Sequence, residues 1–66
     1  MTTNVSIYRV SDGKKLFAHE EPPRYLPREG ELIQLYLKGL FKVIRVVHEY
    51  TYCHNVNIFV EPCHKN

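Results

Sequence analysis

Apolar and polar positions alternate along much of this chain, and in one segment the alternation changes phase. Across Phe41-Lys42-Val43-Ile44-Arg45-Val46-Val47-His48-Glu49-Tyr50, apolar residues fall first on odd positions and then on even ones. Successive side chains of a β-strand point to opposite faces. Phe41 and Val43 therefore cannot share a face with Ile44, Val46 and His48 unless the strand is bulged or sharply coiled. The phase change predicts a small, strongly curved sheet close to a barrel, with Phe41 and Val43 in a different packing layer from Ile44 and Val46.

The rest of the chain reads as further short strands. Val5-Ser6-Ile7-Tyr8-Arg9-Val10 is rich in β-formers, and the Asp12-Gly13 pair that follows suits a tight hairpin turn into Lys15-Leu16-Phe17-Ala18-His19-Glu20. Pro22, Pro23 and Pro27 remove backbone donors from the next stretch, which predicts an extended surface loop with Tyr25 or Leu26 folded inward. Arg28-Glu29-Gly30-Glu31 makes a turn into residues 32–37. There Ile33, Leu35 and Leu37 share one face while Leu32 and Tyr36 share the other, as in a strand covered on both sides. A helix over 31–47 competes, because Leu32, Leu35, Tyr36 and Leu40 lie near helical spacing. Gly39, the missing N-cap and the β-branched residues 43–47 oppose it.

Near the C-terminus Val56, Ile58 and Val60 alternate with Asn57, Phe59 and Glu61, and Pro62 is expected to end the pairing. Antiparallel pairing with 41–50 sets Ile44, Val46 and His48 against Val60, Ile58 and Val56. A one-residue slip would instead set Arg45 and Glu49 against that apolar row. The same register places Arg45 opposite Phe59 on the other face, with Val47 beside Asn57. The fold expected is mostly β: a single small domain over residues 1–66, with 1–4 and 63–66 as flexible ends. It is either a five-stranded curved antiparallel sheet or a Src-homology-3-like barrel.

Composition narrows the function classes. At 66 residues, folding buries only about 60% of the surface the unfolded chain exposes, so stability is modest unless a partner supplements it. The chain is 44% hydrophobic and 24% charged, too apolar for a disordered tail. Its net charge of +2, with Glu20, Glu21, Glu29, Glu31 and Glu49 among the bases, permits an acidic partner without demanding one. No apolar run nears the roughly 20 residues that span a bilayer, and the first residues lack a signal-like apolar core; both favour a cytoplasmic protein with no membrane partner.

Cys53-His54 and Cys63-His64 offer four zinc-ligand types, but the strand between them separates the cysteines by roughly 33 Å if extended, too far for one metal or a disulfide. His48 and His54 fall as diagonal neighbours about 7 Å apart, which makes them, with Cys53, the weak metal candidates. Cys53 is expected on the opposite face, and His48 at the rim. Adjacent Cys53 and His54 diverge on an extended backbone, so they form no nucleophile–base pair, and no glycine-rich loop is present. No catalytic residue and no cofactor is implied. Aromatics interleaved with bases remain: Lys42, Arg45, Phe59, Tyr52 and Tyr25 are the candidate binding residues, of the kind that small barrels use to stack nucleic-acid bases.

The segment Leu26-Pro27-Arg28-Glu29-Gly30-Glu31, an apolar strand, and then Phe41-Lys42-Val43 with Val46-Val47-His48 resembles small bacterial or phage β-barrel-like proteins without an assigned activity. The resemblance covers roughly residues 26–60 and implies a fold class and no functional residue. The function expected is a non-enzymatic protein-interaction or accessory module, with a protein partner or a second copy. The alternatives are a nucleic-acid-binding small barrel and a metal-binding module using His48 and His54.

Overall fold

The computed structural model describes residues 3–21, 26–35 and 38–63. Five strands form one curved sheet: β1 (Thr3–Arg9), β2 (Lys15–Glu21), β3 (Leu32–Leu35), β4 (Gly39–Tyr50) and β5 (His54–Pro62). Their order across the sheet is β2-β1-β5-β4-β3, a half-barrel in which β2 and β3 remain as separate edges. The domain is thus mostly β, and the competing helix over 31–47 is replaced by β3 and β4. Thr3 and Asn4, expected in a flexible end, belong to β1, and Thr3 is buried. Tyr25, Tyr36, Leu37 and the last three residues lie outside the described residues.

The sheet is mixed rather than all antiparallel, because β1 runs parallel to β5 with Val5 beside Val56 and Ile7 beside Ile58. Alternation fixes which face a residue takes but carries no information on strand direction, and both directions bring these valines and isoleucines together. The first hairpin forms as expected, closed by hydrogen bonds from the Gly13 amide to the Arg9 carbonyl (2.7 Å) and from the Arg9 amide to the Lys14 carbonyl (2.9 Å). Gly13 has φ +71°, a left-handed conformation in which glycine carries no steric penalty.

The phase change in β4 is a β-bulge. Val46 opposes Ile58 and His48 opposes Val56 as the pattern requires, but Val43, not Ile44, opposes Val60, and Ile44 has no partner in the ladder. The extra residue lets Phe41 and Val43 rejoin the face of Val46. The expectation of a separate packing layer for Phe41 and Val43 is therefore corrected: both are buried in the single core with Val5, Ile7, Leu35, Val56, Ile58 and Val60. Leu26 packs against this core as the inward anchor of the proline loop. The loop end is tied to the same region of β4, with the Gly30 amide donating to the Val43 carbonyl and the Val43 amide to the Glu31 carbonyl, each at 2.8 Å.

Two smaller expectations change. β3 is an edge strand with Leu32 55% exposed, so it is not covered on both faces. Pairing runs on through Pro62, which opposes Phe41, and the Cys63 amide still reaches the Leu40 carbonyl at 2.9 Å.

Candidate functional site

A second bulge lies in β2. Ile7 opposes Phe17 but the next residue, Tyr8, opposes Lys15, which leaves Leu16 as the extra residue. Regular pairing would have put Leu16 against Tyr8; the bulge substitutes a cation for a leucine. On the other side of β1, Tyr8 lies beside Phe59 of β5, and Phe59 opposes Arg45 of β4. One row across four strands therefore reads Lys15, Tyr8, Phe59, Arg45, on the face away from the core.

The contacts along the row are specific. The Tyr8 and Phe59 rings stack on one another in an offset arrangement, with centroids 5.5 Å apart and planes inclined at 24°. The Lys15 ammonium stands 5.8 Å from the Tyr8 ring centroid, within the range of a cation–π interaction. Both rings are half-buried and both cations exposed. At a strand spacing of about 4.8 Å, the backbone positions of Lys15 and Arg45 are about 14 Å apart along the row, with Tyr8 and Phe59 between them. The next row along the strands holds Ser6, Asn57 and Val47, about 7 Å away. The row beyond holds Glu20, Asn4, Asn55 and Glu49. The acidic residues on that side are thus displaced from the aromatic pair by more than a Debye length at physiological salt, about 8 Å.

Beside Phe59 the outer face dips into a cavity of about 180 Å³ lined by Arg9, Val10, Gly13, Ile44, Arg45 and Phe59. The β4 bulge makes this cavity, since Ile44 joins Arg45 on the outer side instead of filling the core. Arg9 is already committed: its Nε and a terminal nitrogen donate to the two Asp12 oxygens at 3.1 and 2.7 Å. That hydrogen bonding, with a further bond from the Lys14 amide, holds the Asp12 carboxyl down at about 2. Arg45 has no such ion pair among the described residues.

The concave face holds a larger cleft, about 470 Å³, in the seam between the edge strands. Val5, Ile7, Phe17, Leu26, Ile33 and Leu35 are among its walls, with Phe17 42% exposed.

At the far end of the sheet, His48 and His54 are diagonal neighbours as expected, and their rings meet: His48 Nδ1 and His54 Nε2 share a hydrogen bond at 2.9 Å. The His54 ring stacks on Tyr50 with centroids 4.5 Å apart, and its Nδ1 lies 3.1 Å from the buried Thr3 hydroxyl. Thr3 and Tyr50 leave His54 half-buried, while His48 is exposed at the rim. Cys53 turns to the outer side, where its sulfur meets the Asn4 and Asn55 amides at 4.0 and 3.9 Å. Among the described residues no group of three or more His, Cys, Asp or Glu converges as metal ligands. Both cysteines are free thiols.

Of the residues singled out from sequence, the structure unites Arg45 and Phe59 and places Lys42 on the same face, opposite Glu61. Tyr52 is fully exposed at the β4–β5 turn, away from them, and Tyr25 lies outside the described residues. Lys15 was missed. Its signal was the exposure of Tyr8 implied by Val5 and Ile7 facing inward, combined with the Asp12-Gly13 hairpin that must bring β2 back beside Tyr8. Comparison with protein-family models, curated proteins and solved structures finds no match. Among the described residues no helix is long and apolar enough to cross a membrane.

Proposed function

We infer that this chain is a non-enzymatic binding module whose outer sheet face takes single-stranded nucleic acid. The observation that carries the reading is the row Lys15, Tyr8, Phe59, Arg45, in which two adjacent rings are flanked by a cation on each side. Bases stack on such rings at about 1–3 kcal/mol each, and every base has a face to offer, so binding needs no particular sequence. Two rings with two phosphate contacts correspond to a dissociation constant of about 10 µM to 1 mM at low salt. Ser6 and Asn57, one row away, supply hydrogen-bonding groups for base edges.

Fluorescence anisotropy with a labelled oligothymidine tests the reading. Two neutralised phosphates give a slope of about −1.4 for log affinity against log salt on a single strand. Arg45→Ala is expected to bring that slope to about −0.7, whereas Phe59→Ala is expected to weaken binding with the slope unchanged. No binding at low salt would end the proposal.

A protein-interaction role, the function the sequence favours, has its own support in the cleft on the opposite face, where Phe17, Leu26 and Ile33 stand beside His19, Glu31 and Gln34. The β2 edge is bulged at Leu16 and β3 is only four residues long, features that discourage edge-to-edge strand pairing. A partner is therefore expected to place apolar side chains on Phe17 and Ile33. Sedimentation over a range of concentrations examines a second copy as that partner: a dimer abolished by Phe17→Glu supports it, and a monomer throughout removes it.

A further inference from the structure

The row explains base stacking but leaves the cavity beside it unused. The cavity opens at the end of the aromatic pair, and Phe59 and Arg45 belong to both. Its apolar walls are Phe59, Ile44 and Val10, and Gly13 contributes no side chain. Its two guanidiniums differ in availability. Arg9 is held by both oxygens of Asp12, so its charge is compensated within the hairpin turn. Arg45 is exposed and, among the described residues, without an ion pair, so its donors face solvent and are available to a ligand.

An apolar slot with one planar fork of donors at its mouth suits a flat heterocycle that presents two adjacent acceptors. Among the bases, guanine offers O6 and N7 side by side, the pair that arginine recognises with two parallel hydrogen bonds. Adenine pairs its N7 with a donor and thymine offers O4 beside a methyl group; cytosine has an adjacent acceptor pair in O2 and N3, but on a single ring that covers less of the apolar slot than a purine does. In a single strand these edges are free of Watson–Crick neighbours and open to side chains.

We propose that the cavity between the first hairpin turn and the β4 bulge binds one guanine of a single strand whose neighbouring bases stack on Tyr8 and Phe59, with Arg45 turning from the phosphate it contacts on oligothymidine to read O6 and N7. The proposal rests on the stacking function of the outer face and adds base preference to it. The bulge at Ile44 is then a functional feature: it keeps Phe41 and Val43 in the core and at the same time forms the wall against which the base lies.

The test compares anisotropy of the whole chain with short oligothymidine and with the same oligomer carrying one central guanine, adenine or cytosine. Guanine is expected to tighten binding about fivefold over the other three. Arg45→Lys keeps the charge, so the salt slope of oligothymidine binding should be unchanged while the guanine preference disappears, because an ammonium is a point charge without the fork. Equal affinity for all four oligomers would overturn the guanine site and leave the stacking platform standing. A preference that survives Arg45→Lys would also overturn it. Failure of every oligomer to bind would overturn both.

Discussion

Deletion of Ile44 discriminates a bulge from an ordinary strand residue. Because Ile44 is the extra residue, removing it leaves Val43 opposite Val60, Lys42 opposite Glu61 and Phe41 opposite Pro62, and gives β4 a regular alternation. What is lost is half the burial of one isoleucine, about 1 kcal/mol. In a domain of this size that lowers the melting temperature by about 4–8 °C. The control is deletion of Asn57 from β5, another half-buried position without a core role. There no bulge absorbs the change. Val56 moves to the outer face, opposite Val47, and Asn55 takes its place between Val5 and His48. Exposing Val56 costs about 1.5–3 kcal/mol and burying an unpaired amide about 1–3 kcal/mol, so the total is about 3–6 kcal/mol. Sixty-six residues at about 0.05–0.15 kcal/mol each have only about 3–10 kcal/mol to lose. Urea unfolding followed by circular dichroism should therefore show a cooperative transition after deletion of Ile44 and little or none after deletion of Asn57. If deletion of Ile44 unfolds the chain as thoroughly as deletion of Asn57, the bulge reasoning is wrong.

Other perturbations have equally definite outcomes. Ile58→Ala empties a fully buried site on the central strand and is expected to cost about 2–5 kcal/mol in urea unfolding, while Ile58→Val costs about 0.5–1.5 kcal/mol. Thr3→Val removes the hydroxyl bonded to His54 Nδ1 and should cost about 1 kcal/mol, with the His54 ring resonances moving in the NMR spectrum. Asp12 is held at about 2 against an ordinary 3.8, so its contribution is present above the ordinary value and is lost as pH falls through about 2. The melting temperature of Asp12→Asn should consequently lie below that of the parent at pH 6, and the two curves should converge towards pH 2.

The legible part of the fold was the part written in parity. Val56, Ile58 and Val60 named the inner face of β5, and the conflict between Val43 and Ile44 announced an irregularity at the right place. Which of the two faces inward was not readable, since both are β-branched and apolar and only the ladder position of the bulge decides between them. The direction of β1 against β5 was hidden for a related reason: alternation is the same read forwards or backwards. The cross-strand pair of Arg45 and Phe59 followed from the β4–β5 register alone. Tyr8 and Lys15 could join them only after β1 docked on β5, about 50 residues later in the chain, and after Leu16 bulged. The closeness of His48 and His54 was legible as a diagonal pair, whereas the bond between His54 and Thr3 depended on the same docking of β1.

Chemical-shift mapping of backbone and side-chain NMR signals during addition of oligothymidine bears most directly on the outer face as the binding surface. The predicted result is a set of perturbations centred on Lys15, Tyr8, Phe59 and Arg45, with Phe17, Ile33 and Leu35 in the opposite seam unmoved. Perturbations confined to the seam, or a spectrum unchanged at low salt and millimolar oligomer, would contradict it.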